Sequence, residues 1–533
     1  MSRLDLVDWI VVALYFCATY AVVLWHGKTN RASPTDFFLA GRNAGWFIVG
    51  ASIFASNIGS EHLIGLAGSG AAGAFPAAQF ELLAAFALLL LGWLFVPFYI
   101  RSGVFTMPEF LERRYSAGAR YYLAGISILA YVLTKISVTI AAGGLVFEAL
   151  IGIDFWTGAV IIVIATGVYT VIGGMRAVLY ADMMQSIVMI GGAAAVTLIG
   201  LDRAGGWESV RSTAGPEFLD LWRASSDPDF PWTGILFGAP ILAIWYWCTD
   251  QFIVQRTLSA ASIAAARRAT IFAAFLKQLP LFIFVLPGVI AFTLAEQGVL
   301  ELSDTDQALP VLIGTLLPAG IKGLVVAGLL AALMSSLSSV FNSCATLITM
   351  DVYKKLAPHH SDRRLVVVGQ VATLGMVAFG LAWIPFMDAI SSQLYVYLQS
   401  VQSYISPPIA AVFLVGIVWP RANSRGALAA LGAGLIVGIA RLIAELNRAS
   451  LSGWLETFAT MNFLHFAIVL FVGSVAILVL VSLWTKAPDH DRVAPLTLGQ
   501  GSRDRQADAN RGADVILSAL VLALVAAAWI YFS

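Results

Sequence analysis

Several side chains able to bind a polar solute interrupt otherwise apolar runs of this 533-residue chain. Asn57, Glu61 and His62 sit within AGWFIVGASIFASNIGSEHLIGLAGSGAAGAF, which spans residues 44–75. Glu81 lies in FELLAAFALLLLGW, and Lys277 in IFAAFLKQLPLFIF. Gln399 and Gln402 precede Pro407-Pro408 in LYVYLQSVQSYISPP. A charge at membrane depth costs about 2.5–3.5 kcal/mol on insertion scales, so Glu81 and Lys277 are expected to face an internal cavity. A buried ion pair locking two helices, or snorkelling to an interface, would also account for each of them taken alone. Together, a carboxylate, an ammonium, an imidazole and two kinds of amide supply both donors and acceptors. With the aromatic rings of Tyr246, Trp247 and Tyr395 nearby in sequence, they suit a polyol, whose hydroxyls need both roles and whose C–H face packs on a ring.

A second constellation has different chemistry. In ALMSSLSS, positions 332, 335, 336 and 339 fall at i, i+3, i+4 and i+7, one face of a helix. Serine hydroxyls and freed carbonyls are hard neutral oxygens that suit sodium better than a soft metal. The polar interruption at Ala55–Ile58 is able to add unwound carbonyls, and Asp182 adds a carboxylate beside Ser56, Ser338 and Ser339. Small residues that permit close helix packing are the plainer explanation of the serines, and an anchor for its own helix that of Asp182.

The elements that must position these groups are membrane helices. The chain is 59% hydrophobic and 12% charged, with mean hydropathy +0.85, far less polar than a soluble protein of this length. Apolar runs place spans near 4–26, 45–70, 76–101, 119–148, 155–174, 180–201, 232–255, 269–296, 322–350, 364–385, 389–418, 425–447, 460–485 and 512–532. The expectation is an all-α polytopic protein of about fourteen helices. The first run is too long for a signal peptide and lacks a cleavage site. Net charge is zero and no basic tract suggests nucleic acid. Cys17, Cys248 and Cys344 have neither metal nor disulfide spacing. No nucleophile–base pair points to an enzyme, and no obligate protein partner is evident beyond the lipid bilayer.

Lys and Arg recur after the first span (Lys28, Arg31, Arg42), the third (Arg101, Arg113, Arg114, Arg120), the fifth (Arg176), the seventh (Arg256, Arg267, Arg268) and the ninth (Lys354, Lys355, Arg363, Arg364). The intervening loops after the sixth and eighth are acidic. The bias puts odd-numbered loops in the cytoplasm and both termini outside the cell membrane. Two spans are interrupted: the second, and the seventh from Gly238-Ala239-Pro240 to Asp250-Gln251. Interrupted helices five spans apart imply two five-helix repeats, and an odd repeat length inverts one against the other. The organisation expected is 1–43 peripheral helix and loop, 44–201 first repeat, 202–231 external loop, 232–420 second repeat and 421–533 peripheral helices with a linker.

These residues also resemble a known family. ASNIGSEHLIGLAGSG, FTMPEFLERRY, VIGGMRAVLYADMMQ, WYWCTDQFIVQRTL, FAAFLK, MSSLSSVFNSCATLITMDVYKK and YLQSVQSYISPPIAAVFLVGIVW are similar to the sodium/glucose cotransporters of the solute:sodium symporter family, over nearly the full chain. The resemblance implies a LeuT-like core of two inverted repeats with broken first helices. It implies sugar contacts at Asn57, His62, Glu81, Tyr246, Trp247, Lys277 and Gln399. Tyr246 would be an inner gate, and Leu66, Phe80 and Tyr395 an outer one. It implies a sodium site at the carbonyls of Ala55, Ile58 and Ala332 with the hydroxyls of Ser335 and Ser336. A second sodium site would comprise Ser56, Asp182, Ser338 and Ser339. Ala84 and Ala243 fall where some members place polar sugar contacts, and Gln402 stands where mammalian sugar carriers have a smaller hydroxyl residue, so the sugar itself stays open. The implied activity is sodium-coupled hexose symport by alternating access. A myo-inositol or other polyol carrier is the nearest alternative, followed by a sugar-gated sensor that accumulates nothing.

Overall fold

A computed structural model describes residues 4–27, 33–383, 394–498 and 511–533. Lys28 and Arg31 lie outside them, as do the side chains of Glu61 and Tyr395. The described residues are helical with no strand. We label the long helices α1 (Leu6–Gly27), α2 (Trp46–Asn57), α3 (Ser60–Ala71), α4 (Phe75–Ser102), α5 (117–151), α6 (155–173), α7 (174–203), α8 (Trp232–Thr249) and α9 (Gln251–Leu258). There follow α10 (Ile263–Glu296), α11 (Ile321–Leu356), α12 (Asp362–Trp383), α13 (Leu394–Val418), α14 (Ser424–Leu446), α15 (Phe463–Trp484) and α16 (Arg511–Tyr531).

Among the described residues, 11 helices are long and apolar enough to cross a membrane, or 12 when α2 and α3 count as one bent span. Many apolar side chains on the outer helices face outward, Leu14, Val371, Ile436 and Leu520 among them. That arrangement suits a chain whose surroundings are as apolar as its core. The interior is occupied by α11, which is buried along nearly its whole length, against α7 on one side and α1 on another.

The interruption between α2 and α3 is a bend of 58°. Ile58 (ψ 95°) and Gly59 (ψ −178°) are extended. The Gly59 N–H turns to the Asn57 carbonyl at 3.1 Å, rather than to Ala55 as a continuing helix requires. The second interruption falls at the far end of the stretch singled out in the sequence. Within α8 the helix is interrupted at Gly238, and Pro240 is the second residue of the segment that restarts at Ala239, where its missing N–H costs little. The chain leaves helical geometry at Asp250 (φ −77°, ψ 130°), whose carboxylate caps α9 through the Phe252 N–H at 3.0 Å. Tyr131 of α5 donates to the same carboxylate.

One sequence expectation is corrected at α6 and α7. No loop separates them, and Arg176 lies in the first turn of α7, four residues before the expected start of that span. The whole redirection is made by Gly174 at φ 58°, where a side chain would also meet the Phe37 carbonyl at 2.8 Å. α3 and α10 touch backbone to backbone, because a Cβ on Gly288 would stand 1.9 Å from the Ala67 carbonyl. The last helix, α16, is not loosely attached. Asp514 binds Arg267 (2.7 Å) and Arg268 (3.1 Å) of α10, and Trp529 donates to Gln79 of α4 at 2.7 Å.

Candidate functional site

The polar groups on α2, α3, α4, α8 and α10 converge. Lys277 stands at the turn that interrupts α10, just before Pro280, so its ammonium projects from a helix end into the interior. It donates to Glu81 of α4 and, at 2.5 Å, to the Asn57 amide oxygen. Asn57 in turn donates to the Tyr246 hydroxyl at 3.1 Å. His62 Nε2 lies 3.7 Å from Glu81 Oε1, and its Nδ1 accepts from the Gly59 N–H at 3.4 Å. The Lys277 ammonium also sits 5.4 Å from the Trp247 ring centroid. All six side chains are buried.

They cluster about a narrow hollow with room of about 50 Å³. Asn57, His62, Glu81, Tyr246, Trp247 and Gln399 line it, joined by Phe80, Gln402 and Ala243. Lys277 reaches it through Glu81 and Asn57. That volume is smaller than an open small-molecule pocket, while aromatic walls with a few polar groups are the usual make-up of such sites. Phe80 stands at this hollow and stacks on Phe463 with centroids 6.3 Å apart. Leu66 is buried but is not among the lining residues.

Sequence reasoning missed Lys135 of α5, which lines the same hollow with its ammonium 4.9 Å from the Tyr246 ring centroid and 5.5 Å from that of Phe252. The signal was present: a lone lysine in YVLTKISV stands out on the ground that picked Lys277.

The second constellation lies where α2, α7, α9 and α11 meet, and it is tightly filled. Ser336 Oγ lies 3.4 Å from the Ser56 carbonyl, which sets the Ala55–Ile58 break against the Ala332–Ser336 turn. Ser335 donates to Asp182 Oδ1 at 2.6 Å. Asp182 Oδ2 accepts from Ser52 at 2.5 Å and from Ser56 at 3.2 Å. Ser338 turns back to the Ser335 carbonyl at 3.0 Å, away from the carboxylate. Arg256 of α9 enters between them. Its Nη2 lies 3.4 Å from Asp182 Oδ2 and donates to Ser339, while Nε donates to Ser52 at 3.0 Å. Neither Arg256 nor Ser52 was legible as part of this cluster. Arg256 sits six residues after Asp250 and reads in sequence as a loop charge.

Among the described residues no group of three His, Cys, Asp or Glu side chains is arranged to hold a metal ion. Cys17, Cys248 and Cys344 are free thiols.

Helices interrupted at the membrane's interior, with a polar hollow at their crossing, define a multi-pass membrane transporter. The family model described as Sodium:solute symporter family matches residues 37–438, and the chain belongs to that family. It is 37% identical to sodium/glucose cotransporter 1 of Oryctolagus cuniculus over 96% of this chain and 84% of that protein. It is likewise 37% identical to the sodium/myo-inositol cotransporter of Mus musculus, over 93% of this chain and 75% of that one. Among solved structures, a substrate-bound outward-open Na⁺-coupled sialic acid symporter shares the fold, with TM-score 0.78 at 21% identity, over 91% of this chain and 99% of that one.

Proposed function

We propose that this protein carries a hexose such as glucose or galactose across the cell membrane together with sodium, by alternating access. The observation that supports it best is the joining of Glu81, Lys277 and Asn57, from three separate helices, beside one hollow walled by Tyr246 and Trp247. Carboxylate and amide oxygens accept from sugar hydroxyls, while ammonium, imidazole and amide N–H groups donate. Gln399 and His62 extend the set, and the Tyr246 ring packs on the apolar face of the sugar. Phe80, with Leu66 and Tyr395, closes the outer side, and Tyr246 the inner.

The coupling ion is read at the carbonyls of Ala55, Ile58 and Ala332 with the hydroxyls of Ser335 and Ser336. Sodium there pins the α2–α3 break against α11, which preorganises Asn57 for the sugar one residue away. Its departure inward frees the break and releases the sugar. One sodium crossing about 100 mV contributes about 2.3 kcal/mol, and a tenfold gradient about 1.4 kcal/mol more. Together these sustain a sugar gradient of about 500-fold. Ser56, Asp182, Ser338 and Ser339 form the position for a second ion.

The architecture behind this reading is fourteen spans. They are the 12 counted above with α5 and α6 added. Residues 44–201 and 232–420 form inverted five-helix repeats around the two breaks. Residues 1–43, the 202–231 loop and residues 421–533 are peripheral, and both termini lie outside. The chain transports rather than catalyses and needs no obligate protein partner.

Reconstitution into proteoliposomes with a panel of labelled hexoses and myo-inositol tests the reading. Uphill accumulation of a hexose under an inward sodium gradient is expected. Saturable binding without accumulation would make the protein a sensor, and preference for myo-inositol would move the substrate to a cyclic polyol.

A further inference from the structure

A cleft of about 610 Å³ shares no lining residue with the hollow. It lies where the ends of α4, α5 and α11 meet the connection between α15 and α16. Five cationic side chains border it, Arg101, Arg113, Arg120, Lys355 and Arg492, against two carboxylates, Glu109 and Glu112. Both carboxylates are already engaged. Glu109 holds Arg113 at 2.7 Å, while Glu112 holds Arg120 at 2.5 Å and Lys355 at 2.8 Å. Arg120 also meets the buried Asp351 at 2.7 Å. Ion pairs that brace the helix ends therefore account for three of the five cations.

Arg492 is different. It comes from a stretch that reads in sequence as linker, yet the structure packs that stretch down. Val493 and Leu496 are buried, and the Leu498 N–H donates to the Ile417 carbonyl at 2.8 Å. This lays Arg492 across the C-terminal end of the helix Met107–Arg114. It donates there to the carbonyls of Glu112 at 2.9 Å and Arg113 at 3.3 Å. A cation at that end suits the helix dipole. The acceptors are neutral, however, and among the described residues Arg492 has no carboxylate partner. Arg114 of the same helix is likewise held by carbonyls, those of Gly416, Trp419 and Ala422. Positive charge is thus gathered here beyond what the surrounding acids balance.

We propose that this cleft binds a phosphate-bearing anion, either a free phosphorylated polyol or the phosphorylated headgroup of an anionic lipid. Guanidinium groups meet phosphate oxygens with paired N–H donors, and a lysine adds a point charge. The volume exceeds what a bare ion needs, so there is room for the polyol that carries the phosphate. On the topology proposed above the cleft opens to the cytoplasm, the side on which anionic lipids gather and basic pockets between helices hold their headgroups. An occupant joins the end of α11, through Lys355, to the linker, through Arg492.

The test uses the full chain in phosphatidylcholine nanodiscs and two probes. Inositol trisphosphate is titrated calorimetrically at constant ionic strength, with sulfate as the control anion. In parallel, nanodiscs containing phosphatidic acid are used, and native mass spectrometry reads which lipid stays on the protein. Saturable binding of one trisphosphate per chain is the expected result for a free ligand. Retention of phosphatidic acid over phosphatidylcholine is the expected result for a headgroup, and either supports the proposal. Lys355→Gln and Arg492→Gln should each weaken whichever probe binds by roughly tenfold. Arg364→Gln, at an exposed arginine that does not line the cleft, should leave binding unchanged. Should Arg492→Gln fail to fold, Lys355→Gln decides, since its side chain is 38% exposed. Binding of neither probe overturns the proposal. So does binding that sulfate matches, or equal weakening by Arg364→Gln, because diffuse charge would then suffice. No arm reads transport, so failure here leaves the sugar reading untouched.

Discussion

Two buried ion pairs hold this molecule's broken helices in place, and they are built to opposite ends. Glu81–Lys277 borders a hollow, while Asp182–Arg256 is packed on all sides by serines and Phe252. Both join an interrupted element to a continuous helix. The first keeps donors and acceptors at the edge of that hollow. The second has no such space, its guanidinium held by Ser52, Asp182 and Ser339. Polar residues at membrane depth therefore do not all signify one job. Room beside the pair separates a solute site from a switch or a brace.

The largest expected effect comes from opening the first pair. Lys277→Ala leaves Glu81 buried without its cation, a loss of about 3–5 kcal/mol where such pairs are broken. Hexose uptake should fall below detection and the melting temperature should drop. The paired change Glu81→Gln/Lys277→Met should recover the melting temperature but not uptake. Recovery of both would reduce the pair to a brace.

Next comes the ion. Ser335→Ala/Ser336→Ala should abolish sodium-stimulated uptake while the protein still folds and reaches the membrane. Undiminished uptake in sodium would remove these hydroxyls from the coupling site. A smaller effect belongs to Tyr246→Phe. It deletes the acceptor for Asn57 but keeps the ring, at about 0.5–1.5 kcal/mol for one hydrogen bond. The Michaelis constant for sugar should rise several-fold at constant sodium activation. A shift in sodium activation instead would show that Asn57 and the adjoining break serve the ion more than the sugar.

The mildest effect lies outside both pairs. Asp306, in the connection before α11, is pushed up to about 6 by burial and by neighbouring Asp304, and it touches α3 at Gly68. Its folded form holds a proton more tightly than the unfolded chain. Stability from this group is therefore greatest below about pH 4 and is lost as pH rises toward 6. Asp306→Asn should flatten the stability profile in that window and leave sugar affinity unchanged. An unaltered profile would show that Asp306 is not the titrating group.

How much of this was legible in the sequence follows from where each signal is stored. The α2–α3 break was visible because glycine, asparagine and charge have no place in a plain membrane span. Glu81 and Lys277 were visible for the same reason. The position of the second break was less clear, since Pro240 announces a kink that its helix accommodates near an N-terminus, while Asp250 makes the actual interruption through a cap. The sequence already ended one span at 174 and began the next at 180, but that Gly174 alone makes the corner with no loop was not legible, because only its positive φ shows it. Arg256 was missed because a sequence cannot tell an arginine leaving the membrane from one curling back beneath a broken helix. Lys135 carries the same signal as Lys277, a lone charge in an apolar run, and the structure places it at the same hollow. The last helix reads as a peripheral anchor, yet Asp514 fastens it to α10, the helix that carries Lys277.

The central claim is that the open pair receives sugar while the neighbouring close-packed serines register sodium, with the α2–α3 break linking them. Equilibrium binding of labelled glucose to the purified protein, titrated across sodium concentrations at constant ionic strength, tests it most directly. Linkage requires that the sugar dissociation constant fall as sodium rises and that sugar tighten sodium binding by the same factor. A glucose dissociation constant that is identical in sodium and in choline would contradict the account.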